Sequence, residues 1–172
     1  RWVPPDCKTM LDVGGGEGRF LQQIKAQREC ETHLAEFSEH ACQIAQKHVD
    51  HVWQGDFLTV EFGRQFDCIS FLDVLEHTTS PLHWLKKARS ILRPEGSVVL
   101  SIPNVGHWSV ITDLLAGRWD YAPAGIHCVT HVRFFTRWVR GRLFDLGFHW
   151  GGFDGSDFCR CCFHGCSWGG SY

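Results

Sequence analysis

The feature that most restricts this chain is a glycine run set between two different periodicities. Asp12-Val13-Gly14-Gly15-Gly16-Glu17-Gly18 follows the mostly apolar Thr9-Met10-Leu11-Asp12-Val13 and precedes Phe20, Leu21 and Ile24, which recur at helical spacing. A strand that turns through glycines into a helix presents backbone N–H groups to a ligand with no Cβ in the way. The spacing is Asp-x-Gly-x-Gly-x-Gly; Gly15 and Gly18 also fit the end of the Gly-x-Gly-x-x-Gly fingerprint of dinucleotide sites.

Downstream, short apolar runs alternate with amphipathic stretches. Strands are expected over residues 32–36, 51–54, 66–72 and 97–102. Ser38 is placed to cap a helix carrying Ala41, Ile44 and Ala45, and Pro81 to open one carrying Leu82, Leu85, Ala88, Ile91 and Leu92. Pro94-Glu95-Gly96 should stop that helix, and residues 136–146 read as a last one. Strand and helix in alternation imply parallel strands with right-handed crossovers, a Rossmann-like, doubly wound α/β sheet. Ligands of such sheets bind beyond the carboxyl ends of the strands. Those ends carry Gly14 to Gly18, Glu36, Asp56, Asp73 and Asn104.

Composition excludes several classes. The net charge of −2 argues against a nucleic-acid binder that works by bulk charge. No apolar run approaches the roughly 20 residues of a membrane helix. No signal peptide is visible, although the chain opens on Arg1, as a fragment would. Cys7, Cys30, Cys42, Cys68 and Cys128 are scattered singly, which suggests a reducing, cytoplasmic compartment.

Each acidic strand end has a chemical reading. Glu36, at the end of the second strand, can accept both hydroxyls of a ribose. Asp56 can accept from an adenine amino group, with Phe57 packed on the ring.

These residues together resemble a known family. Residues 11–20, LDVGGGEGRF, look like motif I of class I S-adenosylmethionine-dependent methyltransferases. Glu36, Asp56-Phe57 and Phe71-Leu72-Asp73-Val74-Leu75-Glu76-His77 resemble the later motifs in order. Leu92-Arg93-Pro94-Glu95-Gly96-Ser97 is similar to the turn before the fifth strand. Residues 101–108, 117–121 and 130–136 point to the MetW-like, methyltransferase type 11-12 group. The likeness covers about residues 8–148. It implies the class I methyltransferase fold and S-adenosylmethionine as cofactor. The loop of Gly14, Gly16 and Gly18 with Asp12 would hold its methionine end, Glu36 the ribose, and Asp56 and Phe57 the adenine. Asp73 and Leu75 would line the floor beside the sulfonium. The acceptor expected is a small molecule or a glycan-type compound, with no nucleic acid or membrane involved; a protein partner stays open.

An oxygen or nitrogen acceptor must lose a proton, and histidine is the usual base near neutral pH. His131 ranks first because Arg133 follows it and could help grip an acidic acceptor; His107 and His77 are the other candidates. Trp108, Trp119 and Tyr121 could wall an acceptor pocket.

The chain divides into a cofactor-binding domain over residues 1–150 and a Gly-, Cys- and aromatic-rich tail over residues 151–172. Cys159, Cys161, Cys162, His164 and Cys166 crowd together without the second pair a zinc site usually needs, so no metal is assigned. No convincing strand follows residues 148–153, which would leave the C-terminal sheet edge incomplete. Two rival readings share the sheet. One is a non-catalytic, cofactor-binding partner protein. The other is a nucleotide-dependent oxidoreductase, against which the glycine spacing and Asp56-Phe57 speak.

Overall fold

The computed structural model describes residues 2–136 and the backbone of two further segments, 148–154 and 158–165. Strand β1 (Thr9–Val13) is buried along its whole length, as a central strand covered on both faces should be. It leads through the glycine loop into helix α1 (Arg19–Gln27), which buries Leu21 and Ile24. Strand β2 (Glu31–Glu36), helix α2 (Glu39–Ala45) and strand β3 (His51–Gln54) follow. The Ser38 hydroxyl accepts from the Ala41 N–H, as the sequence predicts, but the face that α2 buries is Cys42 and Ala45 rather than Ala41 and Ile44. Strand β4 (Phe66–Leu72) passes through a single 3-10 turn (Leu75–His77) to helix α3 (Pro81–Ile91), with Pro81 in its first turn. Strand β5 (Leu92–Pro103) begins earlier than expected. Phe66 pairs with Leu92 and Cys68 with Ser97, so residues 93–96 loop out of the ladder where a helix stop had been read.

Five strands lie parallel in the order β3-β2-β1-β4-β5. The sheet then continues with β6 (Phe148–Asp154) and β7 (Phe158–Gly165), and β7 runs antiparallel between β5 and β6. The expectation of an incomplete C-terminal edge is therefore corrected. The stretch Phe-Cys-Arg-Cys-Cys-Phe-His-Gly lacks the β-branched alternation that announces a strand. Its place is set by backbone pairing with β5, from Ser97 opposite His164 to Pro103 opposite Phe158. The helix expected over residues 136–146 and Cys166 lie outside the described residues, Thr136 excepted.

Alternation along the strands sorts the core onto two faces. Leu11, Ile69, Val98 and Leu100 pack with Phe57, Leu85 and Ala88 under α3. Met10, Leu34, Cys68 and Val99 pack with Leu21, Ile24 and Ala45 under α1 and α2. Cys7, Cys30, Cys42 and Cys68 are free and buried, behaving as small apolar residues.

One helix was not foreseen. Helix α4 (Trp108–Leu115) buries only Val110 and exposes Trp108, Ile111, Leu114 and Leu115. Trp108, Val110, Ile111, Leu114 and Leu115 fall on one side of the axis and Ser109, Thr112 and Asp113 on the other, but the period runs for only two turns in a segment that otherwise reads as a loop. Its N-cap is His107, whose Nδ1 accepts from the Ser109 N–H, rather than one of the usual Ser, Thr, Asp or Asn.

Candidate functional site

A cleft of about 630 Å³ opens beyond the carboxyl ends of the parallel strands. One wall is Val13, Gly14, Ala35, Glu36 and Phe37; the other is Gly55, Asp56, Leu58 and Trp84; Asp73, Val74 and His77 close it. The crossover topology thus brings together polar residues from the ends of β1, β2, β3 and β4.

The glycine loop is tightly fastened. Gly14 N–H donates to the Ala35 carbonyl at 2.7 Å, and Gly16 N–H donates to Glu36 Oε2 at 3.0 Å. The other Glu36 oxygen accepts from the Ser38 N–H at 2.8 Å, so the carboxylate is held at the strand end from both sides. Gly16 has φ +56°, a conformation L residues rarely adopt, and a Cβ added there would meet nothing within 4 Å. The loop therefore faces open space at that point.

Asp12 lies beneath the loop. Ser70 Oγ donates to its Oδ1 at 2.6 Å, whereas Oδ2 is buried without a protein partner. Burial pushes its carboxyl up to about 7 from an ordinary 3.8, against the Ser70 hydrogen bond.

Asp73 has φ +57°, the only non-glycine residue in that region among the described residues. Strain of this kind persists where the surroundings enforce it. Here Ser101 does so twice: its carbonyl accepts from Asp73 N–H and its hydroxyl donates to Asp73 Oδ1, both at 2.8 Å. Asp73 also borders a second cavity, of about 490 Å³, between α1 and the β4–β5 face.

Not every expected residue faces the cleft in the expected way. Phe57 borders the cleft, but it is 2% exposed and most of its ring packs against Phe62, Phe71 and Trp84. The large ring that does stand free at this cleft is Phe37, 78% exposed and next to Glu36. An isolated exposed aromatic carries no sequence signal; only its place after the strand-end acid could have marked it. Leu75 is buried under the floor rather than lining it. Asp56 lines the cleft and accepts from the Leu58 N–H at 2.9 Å.

The three histidines separate. His77 lines the cleft. His107 caps α4 and is not among the cleft residues. His131 is enclosed: its side chain is 6% exposed, and its Nδ1 meets the Ile126 carbonyl at 3.0 Å. The Arg133 guanidinium donates to the carbonyls of Val132 and Thr79, a loop-fixing role rather than a grip on an acceptor. Trp119 packs on His127 and Phe134, and neither it nor Trp108 nor Tyr121 lines the cleft. Glu76, unremarked beyond its motif, is the unexpected neighbour of this group. It is 1% exposed, and burial with the nearby Asp73 charge raises its carboxyl to about 7.

Residues 3–146 match the family model described as a methyltransferase domain. The chain belongs to that family. It is a class I S-adenosylmethionine-dependent methyltransferase domain by family and by fold. The methyltransferase is 25% identical over 157 residues to the ubiquinone biosynthesis O-methyltransferase of Leptothrix cholodnii, covering 82% of this chain and 66% of that protein. It spans 54–68% of the length of the first curated relatives it matches. Among solved structures, the methyltransferase in complex with the Trm112 activator from Haloferax volcanii superposes with a TM-score of 0.73 at 14% identity, covering 93% of this chain and 83% of that one. The plantazolicin methyltransferase BpumL in complex with S-adenosylhomocysteine gives a TM-score of 0.73 at 13% identity, covering 94% and 77%. At such identities the likeness is one of fold.

The residues present fit the family's cofactor, S-adenosylmethionine. The open space over Gly16 and the fixed Glu36 carboxylate offer a cradle for an adenosyl group, and Asp12 Oδ2 offers an unpartnered acceptor below the loop. Among the described residues, no helix is long and apolar enough to cross a membrane.

Proposed function

We propose that this domain catalyses methyl transfer from S-adenosylmethionine to a hydroxyl oxygen of a small-molecule acceptor. The observation that carries the proposal is the convergence of Gly14, Glu36, Asp56, Asp73 and His77 around one cleft, with Gly16 N–H fastened to Glu36 beside it. The names of the curated relatives favour oxygen as the atom methylated, and a glycan-type hydroxyl fits the same chemistry.

When bound, the cofactor supplies an electrophilic methyl group on a sulfonium. Glu36 would accept hydrogen bonds from ribose hydroxyls while its carboxylate stays pinned by Gly16 and Ser38 N–H groups. Phe37 would cover a face of the adenine, and Asp56 would accept from its amino group. Asp12 and the glycine loop would hold the methionine end. Asp73, at the far end, keeps a carboxylate facing the reacting region. Alignment of two reactants in such a cleft is worth up to about 7–11 kcal/mol in favourable cases.

Calorimetry with S-adenosylhomocysteine tests the cofactor half. Wild type should bind with one site, and Glu36→Ala should lose about 1.5–3 kcal/mol of affinity if charged hydrogen bonds are removed. Folded protein that ignores the ligand would refute the reading. Transfer of a labelled methyl group across a panel of phenols, catechols and sugars then tests the oxygen acceptor.

A further inference from the structure

Behind the cleft, three groups from separate parts of the chain turn toward one another. Glu76 and His77 come from the 3-10 turn after β4, and His131 from the loop before residue 137. Their ligand-type atoms all lie within 4.8 Å of one another. Both Glu76 carboxylate oxygens are buried without a hydrogen-bond partner. A doubly orphaned buried carboxylate is costly, and a polar occupant removes that cost.

The two imidazoles are oriented for such an occupant. His131 Nδ1 lies 3.0 Å from the Ile126 carbonyl, and His77 Nδ1 lies 3.1 Å from the Thr130 carbonyl. A carbonyl only accepts, so each Nδ1 carries the proton and each Nε2 keeps its lone pair. Ligand histidines are commonly fixed in this way by their outer hydrogen bond. His131 Nε2 lies 4.0 Å from Glu76 Oε1. Two ligands about 2.1 Å from one ion can be at most about 4.2 Å apart. In a tetrahedral set that separation is about 3.4 Å, so closure from a spread of 4.8 Å asks each of the two outermost groups to move by under an ångström. The turn itself is firm: Val132 and Arg133 N–H groups both donate to the Glu76 carbonyl, which ties the two ligand-bearing segments together.

We propose that Glu76, His77 and His131 form a binding site for one divalent transition cation, with the open coordination positions facing the cleft through His77. Two nitrogens and one carboxylate suit Mn2+, Fe2+, Co2+ or Zn2+ rather than a purely oxygen-seeking ion. A cation there would draw an acceptor oxygen to the end of the cleft and lower the pKa of its hydroxyl. The second acid-and-histidine group, Glu31, His33 and His51, does not compete on equal terms. Arg64 already holds Glu31 bidentately at 2.7 and 2.9 Å, and the two rings stack nearly parallel, an arrangement in which one ion cannot lie in both ring planes.

The test is Co2+ titration of the full chain after chelator treatment, followed by visible d–d absorption and repeated with Mn2+ by electron paramagnetic resonance. Wild type should take up one ion. Glu76→Gln and His77→Asn should each weaken uptake at least about tenfold, while the exposed-site variant His40→Ala should bind as wild type does. A variant with Cys159, Cys161, Cys162 and Cys166 all changed to serine should keep the signal. Circular dichroism shows which variants remain folded; if Glu76→Gln does not, the exposed His77→Asn decides. No uptake by folded wild type would overturn the site. So would uptake that survives His77→Asn but disappears in the serine variant or in His33→Ala. S-adenosylhomocysteine binding is measured on the same samples: its absence beside intact Co2+ uptake would sink the methyl-transfer reading and leave the cation site standing.

Discussion

Gly15→Ala probes the glycine loop at its tightest point. Gly15 has ordinary backbone angles, so the substitution acts through space alone. An added Cβ would stand 2.2 Å from Asp12 Oδ2 and 2.9 Å from Leu34 Cδ1. Ordinary contact begins near 3.4 Å, so Oδ2 would have to withdraw by about 1.2 Å. It cannot do so without loosening the 2.6 Å bond from Ser70, and Leu34 is fully buried. Overpacking costs roughly 1–3 kcal/mol, and a weakened buried hydrogen bond adds about 0.5–1.5 kcal/mol. The expected loss is about 2–4 kcal/mol by urea unfolding, or roughly 5–15 °C in Tm for a domain of this size. Gly16→Ala is the contrast: the space is open and only the positive φ opposes it, at about 1 kcal/mol. The clash also predicts coupling. In an Asp12→Ala background, Gly15→Ala should cost at least about 1 kcal/mol less. A Gly15→Ala protein within about 0.5 kcal/mol of wild type, or a double mutant showing no coupling, would refute the account.

Other outcomes follow from the same coordinates. Phe37→Ala should weaken S-adenosylhomocysteine binding by about 1 kcal/mol with little change in Tm, whereas Phe57→Ala should cost about 3–5 kcal/mol of stability; calorimetry beside thermal melts separates the two. Because the folded-state pKa of Asp12 is raised from 3.8 to about 7, its contribution to stability is complete below the lower value and is lost as pH rises through the upper one. Asp12→Asn should flatten that decline in denaturation profiles. Burial lowers His33 from 6.5 to about 4, so its contribution is complete above the higher value and is lost as pH falls toward the lower. His33→Phe, which keeps a ring among His51, Trp53 and Phe66, should remove that acid limb; an unchanged limb would assign it to other groups.

The sheet and the cofactor cleft were legible because their signals are local. Four glycines between two periods locate the loop, and acids at successive strand ends locate the walls. For Phe57 the sequence shows an aromatic after a strand-end acid but not how much of its ring is taken up by Phe71 and Trp84, since that depends on tertiary packing. Phe37 was missed for the same reason. His131 and Glu76 meet only through tertiary structure, fifty-five positions apart in the chain, so no spacing rule joins them. Strand β7 is set by its neighbours rather than by its own alternation.

The double hold of Ser101 on Asp73 has a wider reach than the cleft. On one side Ser101 sits opposite Leu72 of β4, and on the other opposite Arg160 of β7. A disturbance that slid the distal half of the sheet would thus be transmitted, through one hydroxyl and one carbonyl, to the carboxylate at the reacting end. Changes engineered into the outermost strands should be screened for altered turnover even where melting is untouched.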